Sequence, residues 1–597
     1  MTNLFKSKIS RLIIPVFATL VFFSCQKEIS NQGGGNPNVL PDLETKVTSS
    51  VSGFVTDENN AAVMGSLVTA GGGSATTDKY GYFEIKNALV VKNAAVVTAT
   101  KAGYFKGIKT YMAVENKAAF FRIKLLPKTS AGLISGSTGG SVTLPGGLII
   151  ALPANGVVNA ASNAAYTGSV NVAAHFIDPT AADINQIMPG DLRGIETSGA
   201  IKTLTSFGMA AVELTGAGGE LLQIATGKKA TLTMPIPAAI VATAASTIPL
   251  WSFDEAKGLW KEEGQASKTG NTYVGEVSHF SFWNCDMPNN YVHFDCTIKD
   301  ANGNPLPFVT VKVSVVGSPY NAGYGWTDSS GYTGGAIPDN ADLLLQVFTS
   351  FGCANAVYSQ NFSTTNADIS LGVITINTSM GAATVSGTVT DCSNLPVTNG
   401  YIIMSADNMY ARYEVSNTGS FSFSTLLCNS TANATFIAED LTSLQQSSPV
   451  TQTLVPGTNA IGNIQACGIS IQEFITYTID GGAPIEFIYP TDSIMHSGNG
   501  TVAMCWITGS KMPPNSGEYI NFSFPTNGIV PGGTQLIEMF NSSVIGQTSV
   551  AVPFAVNITE YGAVGEFIAG NFTGQVQGGT PVTTYNIVCS FRVRRNF

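Results

Sequence analysis

Hydrophobic and polar positions alternate over short stretches along most of this chain, and one stretch near the start breaks the rule. From Leu12 to Phe23 the residues form an unbroken apolar run, preceded by Lys6, Lys8 and Arg11 and ended by Ser24-Cys25. That length suits the core of an export signal and falls short of the roughly 20 residues that cross a bilayer as a helix. Beyond a Gly/Asn/Pro-rich stretch through Pro41, the period changes to two. In VSGFVTDENNAAVMGSLVTAGGGSATTDKYGYFEIKN (51–87), Val, Phe and Ile alternate with polar residues between Asp-Glu-Asn-Asn and Gly-Gly-Gly turns. This predicts half-buried strands joined by tight turns. The uncharged stretch between Lys229 and Asp254 is the one other place where a membrane span could be read. Pro235, Pro237 and Pro249, with several Thr and Ser, argue against it.

The same pattern returns twice. VHFDCTIKDANGNPLPFVTVKV, followed by Gly325-Trp326-Thr327-Asp328-Ser329-Ser330-Gly331-Tyr332, occupies part of 292–376. TVSGTVTDCSNLPVTNGYIIM, followed by Ser416-Asn417-Thr418-Gly419-Ser420-Phe421, occupies part of 384–468, and there the Asp has drifted away. Asp at such a position caps a turn through its side-chain oxygens, and Gly81 accepts the backbone conformation that other residues avoid. A turn role survives the loss of that Asp, whereas a metal or catalytic role does not. The pattern VxGxVTD…TDxxGxF resembles the carboxypeptidase regulatory-like domain, which implies a small transthyretin-like β-sandwich and says little about function. The expected organisation is a signal peptide at 1–24, a tether at 25–47, regulatory-like sandwiches at 48–127, 289–380 and 381–470, a distinct β-rich module at 128–288 and a C-terminal β-sandwich cap at 471–597. The fold class is therefore all-β, with tandem Ig-like or transthyretin-like sandwiches behind a lipoprotein signal peptide and flexible tether. The module at 128–288 is similar in part to the cartilage intermediate layer protein family, a likeness that brings no chemistry with it.

Ser24-Cys25 at the end of the apolar run resembles the lipobox of bacterial lipoproteins, although Phe23 is bulkier than the usual residue there. The resemblance implies cleavage before Cys25, a diacylglyceryl thioether on its sulfur and membrane attachment through more than one acyl chain. Gln26-Lys27-Glu28 and the stretch after it look like the export tag of Bacteroidota surface lipoproteins. The expected localisation is the outer membrane, as a lipoprotein exposed at the cell surface, with a periplasm-facing orientation as the alternative.

Composition agrees with strands: charged residues make up 11% of the chain and there are 63 glycines. Every acidic residue follows Cys25 and three of the 29 basic ones precede it, so the cleaved chain carries 26 − 39 = −13. Nucleic acid is not an expected partner for such a chain. After Cys25, eight of the nine cysteines remain for an oxidising compartment, and none stands in a CxxC pair. Cys505 with Cys589, and Cys296 with Cys353, are the candidate disulfides, each pair being alone in its segment. Cys392, Cys428 and Cys467 leave an odd thiol that Cys285 would match.

Chemistry is sparse. GxSxG, GxGxxG and the Walker loop do not occur, and the four histidines (His175, His279, His293 and His496) stand in neither HExxH nor HxH. His175 with Asp178, Asp183 and Asp191 around one loop is the nearest approach to a cation site, and turn capping explains the same residues. His279 is expected on a strand at a sandwich face. No catalytic residue, metal or cofactor is expected. If Asp254 to Gly258 is a hairpin turn, Trp251 lies roughly opposite Trp260. These two and Trp326 are the candidate ligand platform, with core packing as the competing account. The leading expectation is a non-enzymatic surface lipoprotein, a rod of sandwiches presenting a binding or adhesion surface. The alternative is a glycan- or peptide-capturing accessory of a nutrient-uptake system. The expected partners are the membrane, through the acyl anchor, and a glycan, peptide or protein ligand.

Overall fold

The computed structural model describes residues 42–595, apart from 350–352, 378, 380, 407–408, 490, 500–501, 513–516, 527, 551–552, 563–565 and 580. Cys25 and the apolar run before it lie outside the described residues. The protein is all-β: a tandem array of Ig-like sandwiches with short helical turns at Ile184–Ile187 and Val241–Thr243. No helix among the described residues is long and apolar enough to cross a membrane. The uncharged 230–253 stretch folds as strand Ala230–Pro235, the turn Val241–Thr243 and strand Thr247–Asp254.

Three stretches build the same pair of sheets. In each, the first strand (Lys46–Thr56, Tyr291–Asp300, Ala382–Thr390) lies at the centre of a three-stranded sheet. It is antiparallel to one neighbour (Tyr82–Val91, Tyr332–Pro338, Ser420–Leu426) and parallel to the last strand of the unit (Ala118–Lys124, Ile369–Ile376, Gly457–Gln465). A second sheet of four or more strands faces it.

Local chemistry explains why three divergent sequences converge on this topology. Asp57, Asp300 and Asp391 each end the first strand and accept, on Oδ1, the backbone N–H groups two and four residues on, at 2.8–2.9 Å. Asp78 and Asp328 repeat this at the second turn, toward Tyr80 and Tyr82 and toward Ser330 and Tyr332. In the third unit the Ser416 hydroxyl accepts from Thr418 and Ser420 at 3.3 and 3.2 Å, a longer version of the same cap. Gly81, Gly331 and Gly419 close that turn at φ of +74, +79 and +76°. A Cβ there would meet the carbonyl oxygen of Val55, Ile298 or Val389 at 2.3, 2.3 or 2.7 Å, so only glycine fits.

The 128–288 stretch forms a larger, 13-stranded assembly, and the strands from Phe474 to Arg594 form an 11-stranded one. The C-terminal core is self-contained: its buried side chains, among them Ile475, Phe522, Phe572 and Val593, all come from its own strands and the loops between them.

The units do not form the expected extended rod. The first sandwich's core continues into its neighbours, taking in Trp326 of the second sandwich and Ile403 of the third. On its other side Phe105, Ile108 and Leu126 share a core with Trp251, Phe253 and Trp260 of the 128–288 module. Ala382 and Leu426 of the third sandwich pack into the core of the second. Where neighbours cover the outer faces of the first sandwich, its charged residues find polar partners across the joint. Arg122 donates to the Tyr410 carbonyl at 3.0 Å and lies over Phe54 and Phe120. Lys124 pairs with Asp183 at 2.6 Å.

Neither expected disulfide forms. Cys353 bridges to Cys428, joining the second sandwich to the third, with Cα atoms 5.6 Å apart. Cys392 bridges to Cys467 within the third, because the parallel register Thr390↔Gln465 brings the two strand ends together. Cys296 points into the second sandwich's core and stays a thiol. Cys505 and Cys589 are likewise free and buried, filling space beside the aromatic side chains of the C-terminal core. Cys285 is a buried free thiol and matches none of the three cysteines left over.

Candidate functional site

The three tryptophans do not make an open platform. Trp251 and Trp260 are fully buried and Trp326 is 9% exposed. The hairpin closes with Asp254 opposite Leu259, and that register puts Trp251 opposite Glu262 and Trp260 opposite Phe253, the Phe253 and Trp260 ring centroids lying 5.2 Å apart. The Trp251 indole N–H donates to the Asp286 carbonyl at 3.0 Å. Trp326 sits edge-on to Phe121 at 6.0 Å, sealing the joint between the first and second sandwiches. Alternation reported that these rings lie on strands; the strand-strand packing put them inside.

The His175 loop is an interdomain fastener. Asp178 accepts from the Thr180 N–H and hydroxyl, Asp183 meets Lys124, and Asp191 holds the buried Arg193. Lys109, from the first sandwich, donates to the carbonyls of Asn185 and Met188 at 2.8 and 2.6 Å. Burial pushes its ammonium down to about 7. Burial likewise depresses His175. His279 lies just before strand Phe282–Asn289 rather than on it, with Nε2 2.8 Å from Glu263 and its ring against Trp283. Among the described residues no cluster of three or more His, Cys, Asp and Glu is placed to hold a metal ion.

A site that sequence reading missed lies where the first sandwich, the third and the C-terminal assembly converge around a cleft of about 400 Å³. Its floor is ionic. Lys79 meets Glu439 at 3.6 Å and donates to Gln446 at 2.6 Å, Arg412 meets Asp78 at 3.8 Å, and Arg594 meets Glu473 at 3.3 Å. The Arg412 guanidinium lies 3.3 Å from the Tyr401 ring centroid and 4.4 Å from that of Tyr82. Desolvation raises the Asp78 carboxyl against the pull of Arg412, and lowers Lys79 against the pull of Glu439. Tyr80 is buried beside Tyr410, and its hydroxyl has no hydrogen-bond partner; the same is true of Arg412 Nε. At the mouth stand Tyr489, Met495 and Met512, 42, 45 and 46% exposed. No short motif could reveal this cleft, because its residues come from turns and strands hundreds of positions apart. The one legible hint was Asp78-Lys79-Tyr80, whose Asp was correctly read as a turn cap while the two residues after it supply the cleft.

No protein-family model matches the chain. It is 29% identical over 158 residues to cartilage intermediate layer protein 2 of Mus musculus, a match spanning 25% of this chain and 13% of that protein. The chain thus covers far less than two thirds of the curated relative it matches. Among solved structures, the shaft pilin SpaA of Lactobacillus rhamnosus GG aligns at 11% identity and a TM-score of 0.17, over 30% of this chain and 99% of the pilin. A protein from Bacteroides uniformis described as carbohydrate-binding aligns at 12% identity and a TM-score of 0.11, over 36% of this chain and 98% of its own. Scores at this level bear on neither mechanism nor ligand.

Proposed function

We propose that the chain is an exported, non-enzymatic scaffold, anchored to the outer membrane by an acylated Cys25, whose sandwiches are fastened into one body that presents a binding surface. The observation that carries this reading is how the reactive side chains are used. Lys109, Lys124, Arg122, Asp183 and Arg193 are spent on joints between units. The cleft's carboxylates are engaged in ion pairs. A nucleophile beside a base, which covalent hydrolysis requires, is not part of either arrangement. Two disulfides, one of them between units, suit an oxidising compartment outside the cytoplasm.

Cys25→Ala should release the protein from the membrane fraction or leave its precursor uncleaved, with loss of radiolabelled palmitate incorporation. A variant still processed, labelled and membrane-bound would overturn the anchor. The non-enzymatic part fails if the purified full chain hydrolyses a model glycoside, ester or peptide and loses that activity on His175→Ala or Asp178→Ala.

A further inference from the structure

The cleft between the first sandwich, the third and the C-terminal assembly has the chemistry of a ligand site. We propose that it binds an uncharged, polyhydroxylated ligand, a neutral glycan chain end, with Tyr489 as the ring face at the mouth and the Asp78–Arg412 and Lys79–Glu439 pairs as the floor. This deepens the binding reading above and rests on it.

Charge decides the class of ligand. Four carboxylates and three cations line the cleft, for 3 − 4 = −1, and the fourth carboxylate, Glu84, faces Lys86 at 3.7 Å. The lining is thus close to neutral, and its other three carboxylates are each paired with a cation of the cleft. A charged ligand would have to break one of these pairs and leave its partner uncompensated in a half-buried place, which is costly. An apolar peptide side chain would strip water from the ionic floor and return no hydrogen bond. A sugar hydroxyl escapes both penalties. It donates to Asp78 or Glu439 and accepts from Arg412 at once, adding hydrogen bonds while the pairs stay whole.

Two further observations point the same way. The Tyr80 hydroxyl and Arg412 Nε, on two residues that line the cleft, are buried and unpartnered, so the protein does not satisfy all the polar groups around the cleft by itself. The mouth is apolar but adaptable: Tyr489 offers a ring, and Met495 and Met512 offer thioethers that conform to the C–H face of a ring. At about 400 Å³ the space falls within the range of small-molecule sites, roughly 300–1,000 Å³.

The test uses the full chain purified in detergent, screened on an array of neutral and acidic oligosaccharides and then titrated calorimetrically with the best neutral hexasaccharide. Retention of neutral glycans is expected, with affinity weakened about tenfold or more by Tyr489→Ala and kept by Tyr489→Phe. Met512→Glu, at an exposed position of the mouth, should weaken it as well. Circular dichroism and melting of each variant exclude unfolding as the cause. Retention of acidic glycans alone, retention of none, capture of apolar peptides in their place, or unchanged affinity in Tyr489→Ala would each overturn the proposal. Any of these with acylation at Cys25 intact sinks the cleft while leaving the scaffold reading standing.

Discussion

The first sandwich and the C-terminal assembly use the same two-residue alternation to opposite ends. In the first sandwich parts of the outer faces are covered as well as the inner ones: its own core lies on one side, and Trp326, Ile403 and the 128–288 module cover stretches of the others, while Leu67 and Leu89 stay exposed. Charged groups on its outer positions, Lys109, Arg122 and Lys124, are consequently buried, and each finds a carbonyl or carboxylate across a joint. The C-terminal assembly closes its core on itself and leaves Val530, Leu536, Val544, Val582 and Val588 half or more exposed. Its Arg592 and Lys511 pair within the assembly, with Glu560 and Asp492. An alternating strand thus specifies one inward face, and whether the other face meets water or protein depends on what docks there.

Four experiments probe that contrast. The largest effect is expected from Trp326→Ala. It empties a ring from a core shared by two sandwiches and should cost about 3 kcal/mol, splitting a common calorimetric transition into two. A single unchanged transition would show that the shared core does not couple the units.

The two regions should also answer pH in separate windows. Lys109 is lowered by burial from 10.5 to about 7, so between those values the unfolded chain holds the extra proton and stability rises with pH. The gain should approach about 1.4 kcal/mol per pH unit in the joint with the 128–288 module, and Lys109→Met should lose that slope in urea melts. His496, in the C-terminal assembly, is lowered by burial from 6.5 to about 4. There the unfolded chain again binds the proton first, so stability falls as pH drops from about 6.5 to about 4, with a similar limiting slope. His496→Gln should flatten acid melts of the C-terminal assembly and leave the alkaline behaviour of the first sandwich alone. The smallest effect belongs to Val588→Lys, on an exposed strand position, which should change stability by no more than about 0.5 kcal/mol. A loss of several kcal/mol would mean that this face is covered after all.

Much of the local structure could be read directly from the chain. The turn at Thr77-Asp78…Gly81 is legible as a cap, because Asp and Gly act there through contacts a few residues away, and Asp328 and Ser416 make the corresponding contacts in the structure. The tryptophans show where such reading stops. The Asp254–Gly258 turn is real, but it closes with Asp254 opposite Leu259, so Trp251 meets Glu262 and Trp260 meets Phe253, and residue types alone do not fix which pair closes a turn. The cysteines fail for a related reason. Pairing within each segment was the simplest assumption, whereas Cys353 reaches into the next sandwich, and nothing near Cys353 or Cys428 encodes that docking. The cleft is the extreme case, since Lys79 and Gln446 lie 367 residues apart.

Sequence by itself therefore determined the all-β class, the threefold recurrence of one sandwich and the chemistry of its turns, because alternation and capping are short-range and each is complete within a few residues. Tertiary structure alone decided which aromatic rings are hidden, which cysteines meet and where a ligand could be held. Those depend on which faces dock, and docking is governed by the summed shape and charge of surfaces assembled from distant strands.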